Sequence, residues 1–172
     1  MDVSLTDDDV RRLTDNEIPV MVYSDLIEKG VLNVLLSTPS MACIFLYRTS
    51  ENYGHWLLIW LKTQGKEKGI YVFDSYGNTP DSEEYKKYVS ESVLMSVHQD
   101  EPYLLKELYD SGFRIYFNEF PHQIDKKNVA TCGRHCVVRS SFLDMDTDEY
   151  DKMITAGSLT PDEKVLILTS GI

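Results

Sequence analysis

Six consecutive large apolar residues, Trp56-Leu57-Leu58-Ile59-Trp60-Leu61, lie between His55 and Lys62. A strand with one wet face alternates apolar and polar side chains, whereas an uninterrupted apolar strand needs cover on both faces. The run is far shorter than the about 20 apolar residues that span a bilayer. It therefore predicts the central strand of a sheet with protein packed on either side, and no membrane association.

Neighbouring segments supply the rest of the sheet. Residues 42–47 and 69–73 are β-rich, and the polar stretch 64–69 joins the central run to the second of them as an antiparallel hairpin. Residues 113–117 read as a further strand after Ser111-Gly112. Helices are expected from Thr6 or Ser4 through Leu13, from Ser24 as N-cap, over 81–90, over 102–109 and over 132–143. A last helix starts at Thr160, with Pro161 in first position and Glu163 completing a capping box. Strands gathered in the middle, with helices before and after, predict an α+β fold: a central, mostly antiparallel mixed sheet flanked by helices. No repeat, low-complexity tract or linker divides the 172 residues, so the expectation is a single domain over 1–172.

Charge and cysteine usage narrow the function classes. The net charge of −11 opposes non-specific binding to nucleic acid, and the small lysine clusters at 62–68, 86–87 and 126–127 read as solvated turns and helix faces. Three cysteines, an odd number, argue against a disulfide framework and for a reactive thiol. The acidic start of the chain lacks the basic and apolar regions of a secretory signal, which predicts a cytosolic or nuclear compartment.

The thiol is best sought in Thr131-Cys132-Gly133-Arg134-His135-Cys136. Thr131 can cap a helix whose first residue is Cys132, where the dipole and free N–H groups favour a thiolate and can hold an oxyanion. Gly133 would let a substrate backbone approach. Cys136, followed by two valines, and Cys43, inside an apolar strand, read as core. His55 opens the central strand and Asp74 closes the next, so antiparallel pairing sets a carboxylate where it can orient an imidazole. His135 competes by proximity, one helical turn from Cys132, but has no obvious carboxylate partner. His122 is close in sequence and His98 reads as exposed. Cys132, His135, Cys136 and His122 could be weighed as metal ligands, but their spacing matches no common zinc pattern.

These residues resemble a known group. The order histidine, acid, glutamine, cysteine is similar to that of the adenovirus-protease and SUMO-protease clan of cysteine peptidases; papain places its cysteine first. Gly54-His55-Trp56 resembles the clan's histidine motif, Phe73-Asp74-Ser75-Tyr76-Gly77 its acidic motif, and Cys132-Gly133 with Cys136 its nucleophile motif. The likeness spans about residues 21–143. It is greatest to the virion maturation proteases of adenoviruses, virophages, Polinton-type elements and large DNA viruses.

The resemblance implies papain-like catalytic geometry in the adenovirus-protease chain order, with Cys132 as nucleophile, His55 as base, Asp74 as its orienting acid and Gln123 in the oxyanion hole. Gln123 stands nine positions before Cys132, farther than is usual in the clan, and Asn128 could donate its amide instead. The implied activity is a thiol endopeptidase that cuts viral capsid and structural precursors, in the virion or in host cytoplasm or nucleus during assembly. An activating peptide is a further partner the resemblance suggests, while the acidic charge speaks against stimulation by DNA. No cofactor or metal is expected. The alternative within the clan is an isopeptidase acting on ubiquitin or SUMO conjugates. A non-catalytic binding module is disfavoured because every expected catalytic residue type is present.

Overall fold

The computed structural model describes residues 4–50, 53–124 and 130–170. Its centre is a five-stranded mixed sheet of β1 (Val20–Val22), β2 (Ala42–Arg48), β3 (Gly54–Lys62), β4 (Gly69–Phe73) and β5 (Ile115–Phe117), arranged in that order. The three central strands are antiparallel, while β1 and β5 add in parallel at the edges. Around the sheet lie α1 (Asp7–Leu13), α2 (Tyr23–Lys29), α3 (Val31–Leu36), α4 (Glu91–Ser96), α5 (Tyr103–Asp110), α6 (Cys132–Ser140), α7 (Thr147–Thr155) and α8 (Pro161–Leu168). The fold is α+β, with a mixed sheet flanked by helices.

The apolar run in β3 is buried throughout because each face meets its own layer. Trp56, Leu58 and Trp60 face α1, α6, α7 and α8, packing with Val10, Val137, Ile154 and Val165. Leu57, Ile59 and Leu61 face α2, α3 and α5, packing with Leu26, Leu35, Leu104 and Leu108. The alternation of a strand thus divides one apolar run between two cores. A buried Arg139 closes the first of them. Its guanidinium lies 4.6 Å from the Trp60 ring and 4.5 Å from that of Tyr150, and donates to the carbonyls of Phe142 and Met145, which turns the chain at the end of α6.

Several boundaries differ from expectation, each for a local reason. Ser24 is not an N-cap: α2 begins at Tyr23, whose hydroxyl reaches Asp81 across 2.7 Å. Residues 81–90 form a single 3-10 turn at Glu83–Tyr85, because Asp81 is spent on Tyr23 and the Leu105 N–H, and Tyr85 is drawn to Asp74. Ser90 instead caps α4. The 113–117 strand is trimmed to β5, and the 132–143 helix ends at Ser140. β1, α3 and α4 are too short to show periodicity in sequence; α7 carries a legible cap, Asp146 to the Glu149 N–H. The capping box of α8 forms as expected, and Thr6 is the residue that caps α1.

Candidate active site

The start of β3 and the end of β4 meet at one end of the sheet. Leu58 pairs with Phe73, a register that carries Asp74 opposite Leu57 and makes it the diagonal neighbour of His55 on the same face. His55 Nε2 lies 2.7 Å from Asp74 Oδ1, and both side chains are buried. Two more donors satisfy the carboxylate: the Tyr76 N–H at 2.8 Å on Oδ1 and the Tyr85 hydroxyl on Oδ2. Burial, together with the Asp74 charge, pushes the Tyr85 phenol well above its ordinary range and keeps it a donor.

The backbone turns sharply after Asp74. The Gly77 N–H closes the turn on the Asp74 carbonyl, and Gly77 adopts φ +76°. A Cβ there would also meet the backbone of 119–121 at 3.0–3.2 Å, so the glycine of the acidic motif is required twice over. Asn118 fixes the same turn from outside, accepting from the Asp74 N–H and donating to its carbonyl. The imidazole of His55 stacks with the rings of Tyr76, at 4.8 Å, and Tyr85, at 5.3 Å.

Cys132 arrives from the other layer, as the first residue of α6, and its thiol lies beside His55, near enough for each group's charge to shift the other's pKa. With Nε2 committed to Asp74, Nδ1 is the nitrogen left for the thiol. Burial alone would lower the His55 pKa, but the Asp74 carboxylate and the Cys132 thiolate outweigh it and raise the pKa to about 10. Burial likewise opposes a Cys132 thiolate, yet the His55 charge and the N–H groups of Trp56 and Gly133 hold the thiol below its ordinary value.

Two expectations about this helix start are corrected. Thr131 makes no side-chain cap; its hydroxyl donates instead to Asp162 across 2.6 Å. Gly133 is buried rather than open to a substrate: a Cβ would lie 3.0 Å from the Trp56 ring and 3.2 Å from Leu5. Its smallness lets α6 sit on the indole. Cys136 is fully buried, with Sγ against the Trp56 carbonyl, and Cys43 is buried as expected.

Gln123 joins the site through Ser75, whose hydroxyl donates to Gln123 Oε1 at 2.6 Å. The Gln123 amide nitrogen donates in turn to the Tyr76 hydroxyl at 3.2 Å. His55, Tyr76, Gln123 and Cys132 all line one open cleft of about 1180 Å³. The structure thus brings all four sequence-predicted residues to one place. Asn128, the alternative amide, lies outside the described residues.

Two other histidines, His135 and His122, have carboxylate partners, and His98 is exposed as expected. His135 is wholly buried, and it does have a carboxylate: Nε2 meets Asp162 at 2.9 Å. Burial lowers its pKa and favours the neutral ring. His122 pairs with Asp151 at 2.6 Å. The residues weighed as metal ligands therefore do not converge, and no group of three or more such side chains is found among the described residues. Sequence reasoning missed Ser75, Tyr85 and Asn118. Ser75 lay inside a noted motif, whereas Tyr85 and Asn118 had no local signal, because one acts on the Asp74 side chain and the other on the Asp74 backbone from another strand's end.

No family model matches the chain. Over 171 residues it is 32% identical to the uncharacterized protein V9 of Sputnik virophage, covering 97% of this chain and 94% of that protein. The chain belongs to the family of that virophage protein, and is a viral protein. Among the described residues no helix is long and apolar enough to cross a membrane.

Proposed function

We propose that this viral protein is a cysteine endopeptidase that cuts viral structural precursors during virion maturation. The observation that carries the reading is the His55 imidazole held between a buried Asp74 carboxylate, at 2.7 Å, and the Cys132 thiol. In this reading Cys132 and His55 rest as thiolate and imidazolium, with Asp74 setting the ring's orientation.

The thiolate sulfur attacks the peptide carbonyl carbon, and the carbonyl π pair moves onto oxygen. The Cys132 N–H and the Gln123 amide stabilise that oxyanion; loss of one such donor costs about 10²–10³ in rate. His55 gives its Nδ1 proton to the amine as the C–N bond breaks. A water, deprotonated by the same imidazole, then attacks the thioester, and sulfur leaves as thiolate. The virophage relative supports a viral setting, and the clan resemblance supports structural precursors as the substrate class.

The test is incubation of the purified chain with the structural proteins encoded beside it, and separately with ubiquitin and SUMO conjugates, with cut sites read by mass spectrometry. Cleavage of precursors by wild type and not by Cys132→Ala is expected. Cleavage of conjugates alone would replace the reading with an isopeptidase, and cleavage of neither would sink it.

A further inference from the structure

Asp162 stands apart from the triad and from the capping box beside it. Thr160 and Glu163 close that box between themselves, which leaves the Asp162 carboxylate free for other work. Its oxygens divide between the two ends of one chain segment. Oδ2 accepts the Ile124 N–H at 2.9 Å. Oδ1 accepts the Thr131 hydroxyl at 2.6 Å and His135 Nε2 at 2.9 Å. Ile124 directly follows Gln123, and Thr131 directly precedes Cys132.

We propose that Asp162 is a positioning residue that sets Gln123 and Cys132 at the separation an oxyanion hole needs. The inference rests on the peptidase reading. Gln123 and Cys132 are nine positions apart, so the intervening chain does not by its length fix their distance. One carboxylate bonded at both ends does. The three donors are a backbone amide, a hydroxyl and a ring N–H, and an amide in place of the carboxylate cannot accept from all three, because its nitrogen only donates. His135, tempting as a catalytic base, acquires a role here as a neutral donor that holds the same carboxylate from α6.

Alkylation of Cys132 by iodoacetamide needs the thiolate but no oxyanion hole, whereas acylation by p-nitrophenyl acetate passes through an oxyanion. Comparing the two on the full chain separates positioning from thiol activation. In Asp162→Asn, acylation should fall about 10–100-fold, while the pH profile of alkylation stays that of wild type and the Ile124 amide exchanges faster with solvent. Glu163→Ala should lower the melting temperature while leaving both reactions unchanged. Thr131→Val removes a single bond, and should lower acylation in the same direction should Asp162→Asn not fold. Equal loss of acylation and alkylation, unchanged acylation, or unchanged Ile124 exchange would overturn the proposal. Failure of the peptidase reading would show differently: wild type would cut no peptide while the acylation and alkylation difference persisted.

Discussion

Ser75 and Gln123 form a buried pair joined twice. The Ser75 hydroxyl donates to Gln123 Oε1 at 2.6 Å, and the Ser75 carbonyl accepts the Gln123 N–H at 2.9 Å together with that of His122 at 2.8 Å. The turn that presents Asp74 to His55 is therefore also the seat of the glutamine amide. Acid and amide are positioned by one piece of backbone, so a shift of one displaces the other.

Removing the hydroxyl should uncouple them. Ser75→Ala removes the 2.6 Å hydroxyl donor to Gln123 Oε1, a loss of about 1–3 kcal/mol in stability. Peptide hydrolysis should fall about tenfold through a mispointed amide. Alkylation of Cys132 by iodoacetamide should hold at its wild-type rate. Denaturant titration and the two rate assays check the three outcomes.

The thiol–imidazole pair sets a pH window. His55 is raised from 6.5 to about 10, so its contribution to stability is full below about 6.5 and is lost as pH rises through about 10. Cys132 is lowered from 9.0, so its contribution is full above that value and is lost as pH falls through its folded pKa. Thiolate alkylation should therefore begin below the ordinary thiol range, and the imidazolium-dependent activity should fall near pH 10. Asp74→Asn removes the charge that most raises His55, and the alkaline limb should move toward neutrality. A pH–rate profile of both proteins would show the shift or refute it.

The two cysteines of α6 should part company. Cys132→Ala should abolish turnover. Cys136→Ala should leave kcat near wild type and cost about 1–2 kcal/mol, the loss from emptying a small buried side chain. A Cys136 variant as inactive as the Cys132 variant would contradict the division of labour.

Gly133 offers a test of packing rather than chemistry. An added methyl meets the Trp56 ring at 3.0 Å and Leu5 at 3.2 Å. Gly133→Ala should cost about 1–3 kcal/mol through overpacking, read as a lowered denaturation midpoint.

Much of this was legible in the residues. The unbroken apolar run 56–61 required cover on both faces, and the polar 64–69 stretch required a hairpin, because these are local consequences of side-chain alternation and turn chemistry. Together they bring His55 near Asp74. The capping box of α8 was equally local. The exchange of 81–90 for a 3-10 turn was not, since it depends on Asp81 and Tyr85 finding partners at Tyr23 and Asp74.

Local patterning thus prescribes the unbroken apolar core strand, the hairpin and the histidine, acid and thiol that the hairpin and α6 could carry. The surroundings came from packing. It placed Gly133 under Trp56, Tyr85 on Asp74, Ser75 on Gln123, and His135 on Asp162 instead of on Cys132. Periodicity and capping act between residues a few positions apart, whereas these contacts span eleven positions or more, and their geometry exists only once both layers have closed on the sheet.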